Sequence, residues 1–317
     1  MHPDLDALSA LSLPGRLPIV GIAIALVGGL FLALGAQFQH RGVQKAEEKH
    51  QARVHDAGDD LPPTAKGLGA ILAGTLRLMK SPWWLLGTAL YGIAILCQLT
   101  SLGFAPITVV QPIGVVALVI TSIVNSRMSH IELTAPTIRA IVLCVVGVGI
   151  FVGFAAANTE DPGINQGQMI IVLSILVIVV FLLGLAYLLF RKQFRAIFYV
   201  IAAGICFGFV ATIAKVTINR FLSGDIDWLV ILAFVGIIAA GGLGAYFVQN
   251  AYTIGAPDLV IAGLTVVDPM VAVVIGLTVL GEGAQTPVWV LFVWLASAAI
   301  AIVGVIQLAR HHPQTVH

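Results

Sequence analysis

Charge is what this chain has least of. Only 10% of its 317 residues are Asp, Glu, Lys or Arg, whereas a soluble domain carries about 25%. So few ions cannot cover a water-soluble fold of this size. The hydrophobic share is 59% and the mean hydropathy is +1.03, so lipid is the solvent that fits. Neither sign of charge dominates: the net is +1, which gives no argument for a nucleic-acid partner. Cysteine is scarce as well. Cys97, Cys144 and Cys206 each sit inside an apolar run with no CxxC pair, and they read as small buried residues rather than metal or redox groups. No phosphate-binding glycine loop, nucleophile elbow or HExxH occurs, so the chain has no machinery of its own for ATP-driven pumping, and no cofactor is expected. The opening residues, MHPDLDALSALSLPGR, lack the basic start and small-residue cleavage site of a signal peptide.

In place of these the chain has long apolar runs. Nine of them, 17–39, 83–103, 105–126, 137–157, 168–190, 195–218, 228–250, 257–280 and 287–308, are each about 20 residues, enough to cross a hydrocarbon core as helix. Helix is required because the backbone must satisfy its own hydrogen bonds in lipid. The expected fold is therefore all-α, a polytopic membrane bundle of nine predicted transmembrane helices. Pro106, Pro257 and Pro287 lie at span starts, where a missing N–H costs little. A short run at 65–79, interrupted by Arg77 and flanked by Lys66 and Lys80, reads as an interfacial helix. With nine spans, thirteen of the sixteen Lys and Arg residues fall on one face and only Arg16 and Arg220 on the other. This bias predicts the N-terminus outside and the C-terminus in the cytoplasm of a multi-pass cell-membrane protein. Two charges belong to neither face: Lys215 and Asp268 lie within spans.

The chain also repeats itself. A shift of 151 lays QNAYTIGAP on QLTSLGFAP, matching Gln249 with Gln98 and Pro257 with Pro106. A shift of 157 then lays Val267-Asp268-Pro269 on Val110-Gln111-Pro112, and a looser shift of 179 sets Gly208 on Gly29 and Arg220 on Arg41. The organisation expected is a 4+1+4 inverted-topology repeat. It comprises an outer segment 1–16, a first repeat 17–157 carrying a cytoplasmic loop 40–82, a linker helix 168–190, a second repeat 195–308 and a tail 309–317. An odd number of linking spans makes the second four enter from the opposite side, a plan used by secondary transporters that bind substrate near the midplane.

At these residues a family resemblance emerges. GAPDLVIAGLTVVDPMVAVVIGLTVLGEG resembles the second-repeat signature of the drug/metabolite (EamA-like) transporter superfamily, with Asp268-Pro269 and Gly281-Glu282 on its polar-Pro and Gly-Glu positions. WWLLGTALYGIAILCQLTSLGFAPITVVQPIGVVALVITSIV is similar to the NIPA-like magnesium transporters, and Lys215 falls where that branch has a lysine. That branch has Thr before its two repeat prolines, whereas here Gln111 and Asp268 stand there, and the first repeat carries Asn125 and Glu132 in place of a clean Gly-Glu. The resemblance implies a secondary transporter working by alternating access on a small solute, with magnesium or another hydrated cation as substrate. Export of an organic metabolite, amino acid or drug is the alternative, and a non-transporting structural protein is a third reading.

The residues themselves narrow the site. Asp268 lies about 16 Å of helix rise into its span, near the membrane centre. An ionisable group there costs at least ~2.5–3.5 kcal/mol on insertion scales. It reads either as a substrate, metal or proton site or as the structural partner of Lys215. Lys215 either snorkels to the outer headgroups, pairs with Asp268 or hooks an anionic solute. Gln37, Gln98, Gln111, Gln249 and Asn250 are neutral polar groups that either line a cavity or glue helices together. Pro112 and Pro269 are expected to break their helices. Gly149/Gly153 and Gly204/Gly208 have the small-xxx-small spacing of helix contacts. The loop histidines His40, His50 and His55 fit no ligand spacing. The partners implied are membrane lipid and a small solute or hydrated cation, and a homo-oligomer is compatible with the pattern.

Overall fold

The structure, a computed structural model, describes residues 17–57, 81–129, 134–161, 165–190, 195–225, 227–255 and 257–310. The run 65–79, the first sixteen residues and the tail after Arg310 lie outside the described residues, as do the side chains of His40, His50 and His55. Among the described residues there are nine helices and no strand: α1 (Leu17–Ala57), α2 (Pro82–Phe104), α3 (Ile107–Ser129), α4 (Ala135–Asn158), α5 (Gln166–Phe190), α6 (Ala196–Ser223), α7 (Trp228–Ile254), α8 (Pro257–Thr278) and α9 (Val288–Arg310). All nine are long and apolar enough to cross a membrane. The protein is a multi-pass membrane helix bundle.

Helix ends follow local chemistry. Pro106 and the extended Ala105 separate α2 from α3. Gly224, at φ 78°, ends α6 in the left-handed conformation that other residues adopt only at a cost. Asp227 caps α7 by accepting from Leu229 N at 3.2 Å. Two boundaries differ from expectation. The region read as a loop from residue 40 is helical as far as Ala57, because VQKAEEKHQAR is made of good helix formers and no breaker intervenes before Gly58. Pro112 and Pro269 lie inside α3 and α8 without ending either helix. A proline removes one helical hydrogen bond, and both helices continue through it.

The bundle turns an apolar face outward and small residues inward. Leu188, Ile238, Phe292 and Leu295 are among its most exposed side chains, as lipid permits. Inside, glycines let backbones meet: a Cβ at Gly204 or Gly208 of α6 would stand 2.6 or 2.7 Å from Val267 or Val271 of α8. On α4 the expected pair fails. Gly149 and Gly153 face open space, whereas Gly147 lies against α9, where an added Cβ would come 2.6 Å from Ala301 N. Gly304 of α9 returns the contact to Cys144. A single glycine, with Phe151 rather than a small residue four positions on, makes the contact in place of the expected pair.

Helix α1 packs on α2 and α3, as α6 packs on α7 and α8; α3 packs on α4, as α8 packs on α9. The two groups of four meet through α4–α9 and α3–α8, with α5 against α6 and α7. The α2–α3, α4–α5 and α8–α9 connections bond to one another at one end of the bundle. At the other end Gly255, after α7, abuts Ala196, which starts α6.

Candidate functional site

Helix α8 carries one charged residue in its span, Asp268. The side chain is half-buried, and its Oδ1 is enclosed without a hydrogen-bond partner among the described residues. The glycines of α6 explain why the site is tight. A Cβ at Gly204 would lie 3.2 Å from Asp268 N, and one at Gly208 would lie 3.0 Å from its carbonyl oxygen. So α6 supplies close backbone and no counter-charge. Lys215 is seven residues past Gly208, about 10 Å further along α6.

The expected polar residues separate into two groups. Gln37 on α1 and Gln111 on α3 are buried, on helices that pack together, and α3 also packs on α8. Gln98 is half-buried. Gln249 is exposed, because Phe247 and Ala251 take the inward face of α7 and a residue two positions away points about 200° round. Asn250 donates to Tyr246 O of its own helix at 2.8 Å. The repeat match of Gln249 with Gln98 therefore does not bring both inward.

A cavity of about 350 Å³ lies between α3, α4, α8 and α9. Both in-helix prolines, Pro112 and Pro269, stand in its wall with Phe151, Val273 and Trp294, and Thr265 is its one hydroxyl. Asp268 is not among the lining residues. The wall suits an apolar group and offers a bare ion nothing.

The richest polar chemistry lies elsewhere, at the end of the bundle where α2 gives way to α3. Lys215 is fully buried and donates to Leu102 O at 2.8 Å, to Ala105 O at 2.9 Å and to the carboxylate of Asp161. It neither snorkels to a surface nor pairs with Asp268. The expectation failed because the carbonyls that end α2 form a nearer and better-aligned acceptor set than a carboxylate on another level. Glu282, also buried, accepts from Ile107 N at 2.7 Å, Thr108 N at 2.9 Å and Thr108 Oγ1 at 2.6 Å. Burial pushes its carboxyl above the usual carboxylate range, while the Thr108 hydroxyl and amide, the charge of Lys215 and the Ile107 amide pull it back. Sorting charges by face puts Glu282 with the acids of the outer face, which gives no sign of burial. Its only signal in the sequence is its place in the Gly281-Glu282 signature, where Gly281 takes φ 77°.

No group of three or more His, Cys, Asp or Glu side chains able to hold a metal ion occurs among the described residues. Comparison with known proteins gives a consistent picture. Residues 17–240 match the family model described as "Magnesium transporter NIPA". An uncharacterised protein of Corynebacterium glutamicum is 26% identical over 295 residues, covering 92% of this chain and 95% of its own length. A probable magnesium transporter of Arabidopsis thaliana, NIPA9, is 24% identical over 287 residues, covering 82% of each. No solved structure matches.

Proposed function

The chain belongs to the NIPA magnesium transporter family, and on that footing we infer that it is a secondary transporter of a cation, with magnesium the foremost substrate. The observation that carries this reading is Asp268: an ionisable group deep in a span, with one oxygen enclosed and unpartnered. Lys215 is engaged by Asp161 and two carbonyls, so the cation that could have neutralised Asp268 is committed elsewhere. A carboxylate kept at such depth needs compensation, and a cationic solute supplies it. Magnesium holds its water shell and is bound through one or two carboxylates. Asp268 would be the charged contact, with the amides of Gln111 and Gln37 for the shell.

Alternating access would move the two four-helix halves, α1–α4 and α6–α9, about the α3–α8 and α4–α9 contacts. The same packing scheme within each half supports the inverted repeat. The lysine and arginine asymmetry supports a cell-membrane protein with its N-terminus outside and its C-terminus in the cytoplasm. The apolar cavity beside Pro269 favours a second reading, an organic cation whose charge meets Asp268 and whose body enters the cavity. Proteoliposomes holding the purified protein decide between them when challenged with magnesium, amino acids and quaternary amines. Magnesium flux with no amine flux supports the first reading, amine flux alone the second, and no flux in any arm counts against transport of these classes.

A further inference from the structure

The helix is interrupted at Ala105-Pro106, and each of the two helix ends is held by a side chain from the other half of the molecule. A helix C-terminus exposes carbonyls and partial negative charge, and a helix N-terminus exposes N–H groups and partial positive charge. Lys215 of α6 sits on the carbonyl end of α2. Glu282, on the connection after α8, sits on the amide end of α3. Both caps carry the sign the helix dipole demands, and they span 110 to 175 residues. Residues 158–161, at the end of α4, bond to both caps or to the segment that carries them. Asp161 bonds Lys215, Glu160 N donates to Glu282 O at 3.2 Å, and Thr286 Oγ1 donates to Asn158 O at 2.8 Å. Gln168, at the start of α5, donates to Leu280 O at 3.0 Å.

The repeat does not copy this arrangement to the opposite end. The shift of 179 that matches Gly208 to Gly29 puts Ala36 opposite Lys215, and the shift of 157 puts Asn125 opposite Glu282. At the α7–α8 junction the packing is of small residues, Gly255 on Ala196. Among the described residues Lys215 and Glu282 cap this one junction, and both side chains are buried there.

We propose that Glu282, Lys215 and Asp161 form the gate of this end: Glu282 and Lys215 clamp the α2–α3 junction of one half to α6 and α8 of the other, and opening requires Glu282 to leave the first turn of α3. The proposal rests on the transport reading, but its test needs no solute. Hydrogen bonds to helix ends are directional, so the clamp is held or released and does not stretch.

Val109, fully buried one residue past Thr108, serves as the reporter. Ala251, equally buried at the opposite end, is the control. Each is made the single cysteine in a chain whose Cys97, Cys144 and Cys206 are replaced, and is labelled by a hydrophilic maleimide in the reconstituted full chain. Adding Glu282→Gln puts an amide N–H where an acceptor is needed, and labelling at Val109→Cys should rise about tenfold or more with Ala251→Cys unchanged. Thr108→Val, which removes one donor and keeps all charges, should give a smaller rise at the same position and serves if Glu282→Gln does not fold. Unchanged labelling at Val109→Cys in folded variants, or an equal rise at both positions, overturns the proposal, since the caps would then only stabilise. Either result stands whether or not the flux panel finds a substrate.

Discussion

At the scale of single residues, two ions with the same sequence-level description came to opposite ends. Asp268 and Lys215 were the two charges that neither face could absorb. Lys215 found three oxygen acceptors, and Asp268 kept an unpartnered oxygen. Lys215→Met should therefore act on stability. It leaves the carbonyls of Leu102 and Ala105 without a donor, at about 1–3 kcal/mol for buried groups left unsatisfied, and Asp161 can turn to water. A lower midpoint in a detergent thermal melt would show this; an unchanged midpoint would mean the carbonyls are rehydrated. Gln249→Ala should leave flux intact, because that side chain is exposed, while Gln111→Ala should reduce it. Equal effects in one flux assay would contradict the separation of buried from exposed amides. What was legible at this scale was depth. Partnership was not, because Lys215 lies 54 residues from Asp161 and 113 from Leu102. No local pattern announces a bond over that span, and the Gly281-Glu282 signature marked Glu282 without naming its partners.

At the scale of elements, helices were legible because lipid leaves the backbone no other choice. Their existence follows from apolar length, and three of their starts from Pro106, Pro257 and Pro287. Register is a finer property. Spacing alone favours Gly149/Gly153 over Gly147, whose neighbours four residues away are Leu143 and Phe151, yet the partner helix α9 meets Gly147. The account predicts a sharp contrast here. Gly147→Ala puts a methyl 2.6 Å from Ala301 N, backbone that cannot step aside, and Gly149→Ala puts one in open space. The first should cost about 1–3 kcal/mol as overpacking and lower the melting midpoint; the second should leave it unchanged or raise it slightly. A melt of both proteins in one detergent checks this, and matched midpoints would show that α4 and α9 do not meet as described. Helix α1 teaches the converse lesson. Its polar extension to Ala57 is set by local propensity, which a search for apolar runs passes over.

At the scale of the whole molecule, the nine-span plan and the family were both visible in the chain, and the packing scheme of α1–α4 recurs in α6–α9. The orientation proposed from charge is open to direct test. Cysteines placed singly at positions 6 and 57 in a background without the native three should react differently with an impermeant maleimide on intact cells. Labelling at 6 alone supports the N-terminus outside, and labelling at 57 alone reverses the topology. The central claim is that a cation crosses this bundle by way of Asp268, and one flux measurement meets it most directly. Proteoliposomes carrying equal amounts of folded wild type and Asp268→Asn are loaded with a magnesium-sensitive dye and given an inward magnesium gradient. The account predicts magnesium entry with the wild type and a fall of about tenfold or more in the variant, where an amide cannot replace the carboxylate's charge. Equal magnesium entry through Asp268→Asn and wild type would contradict it.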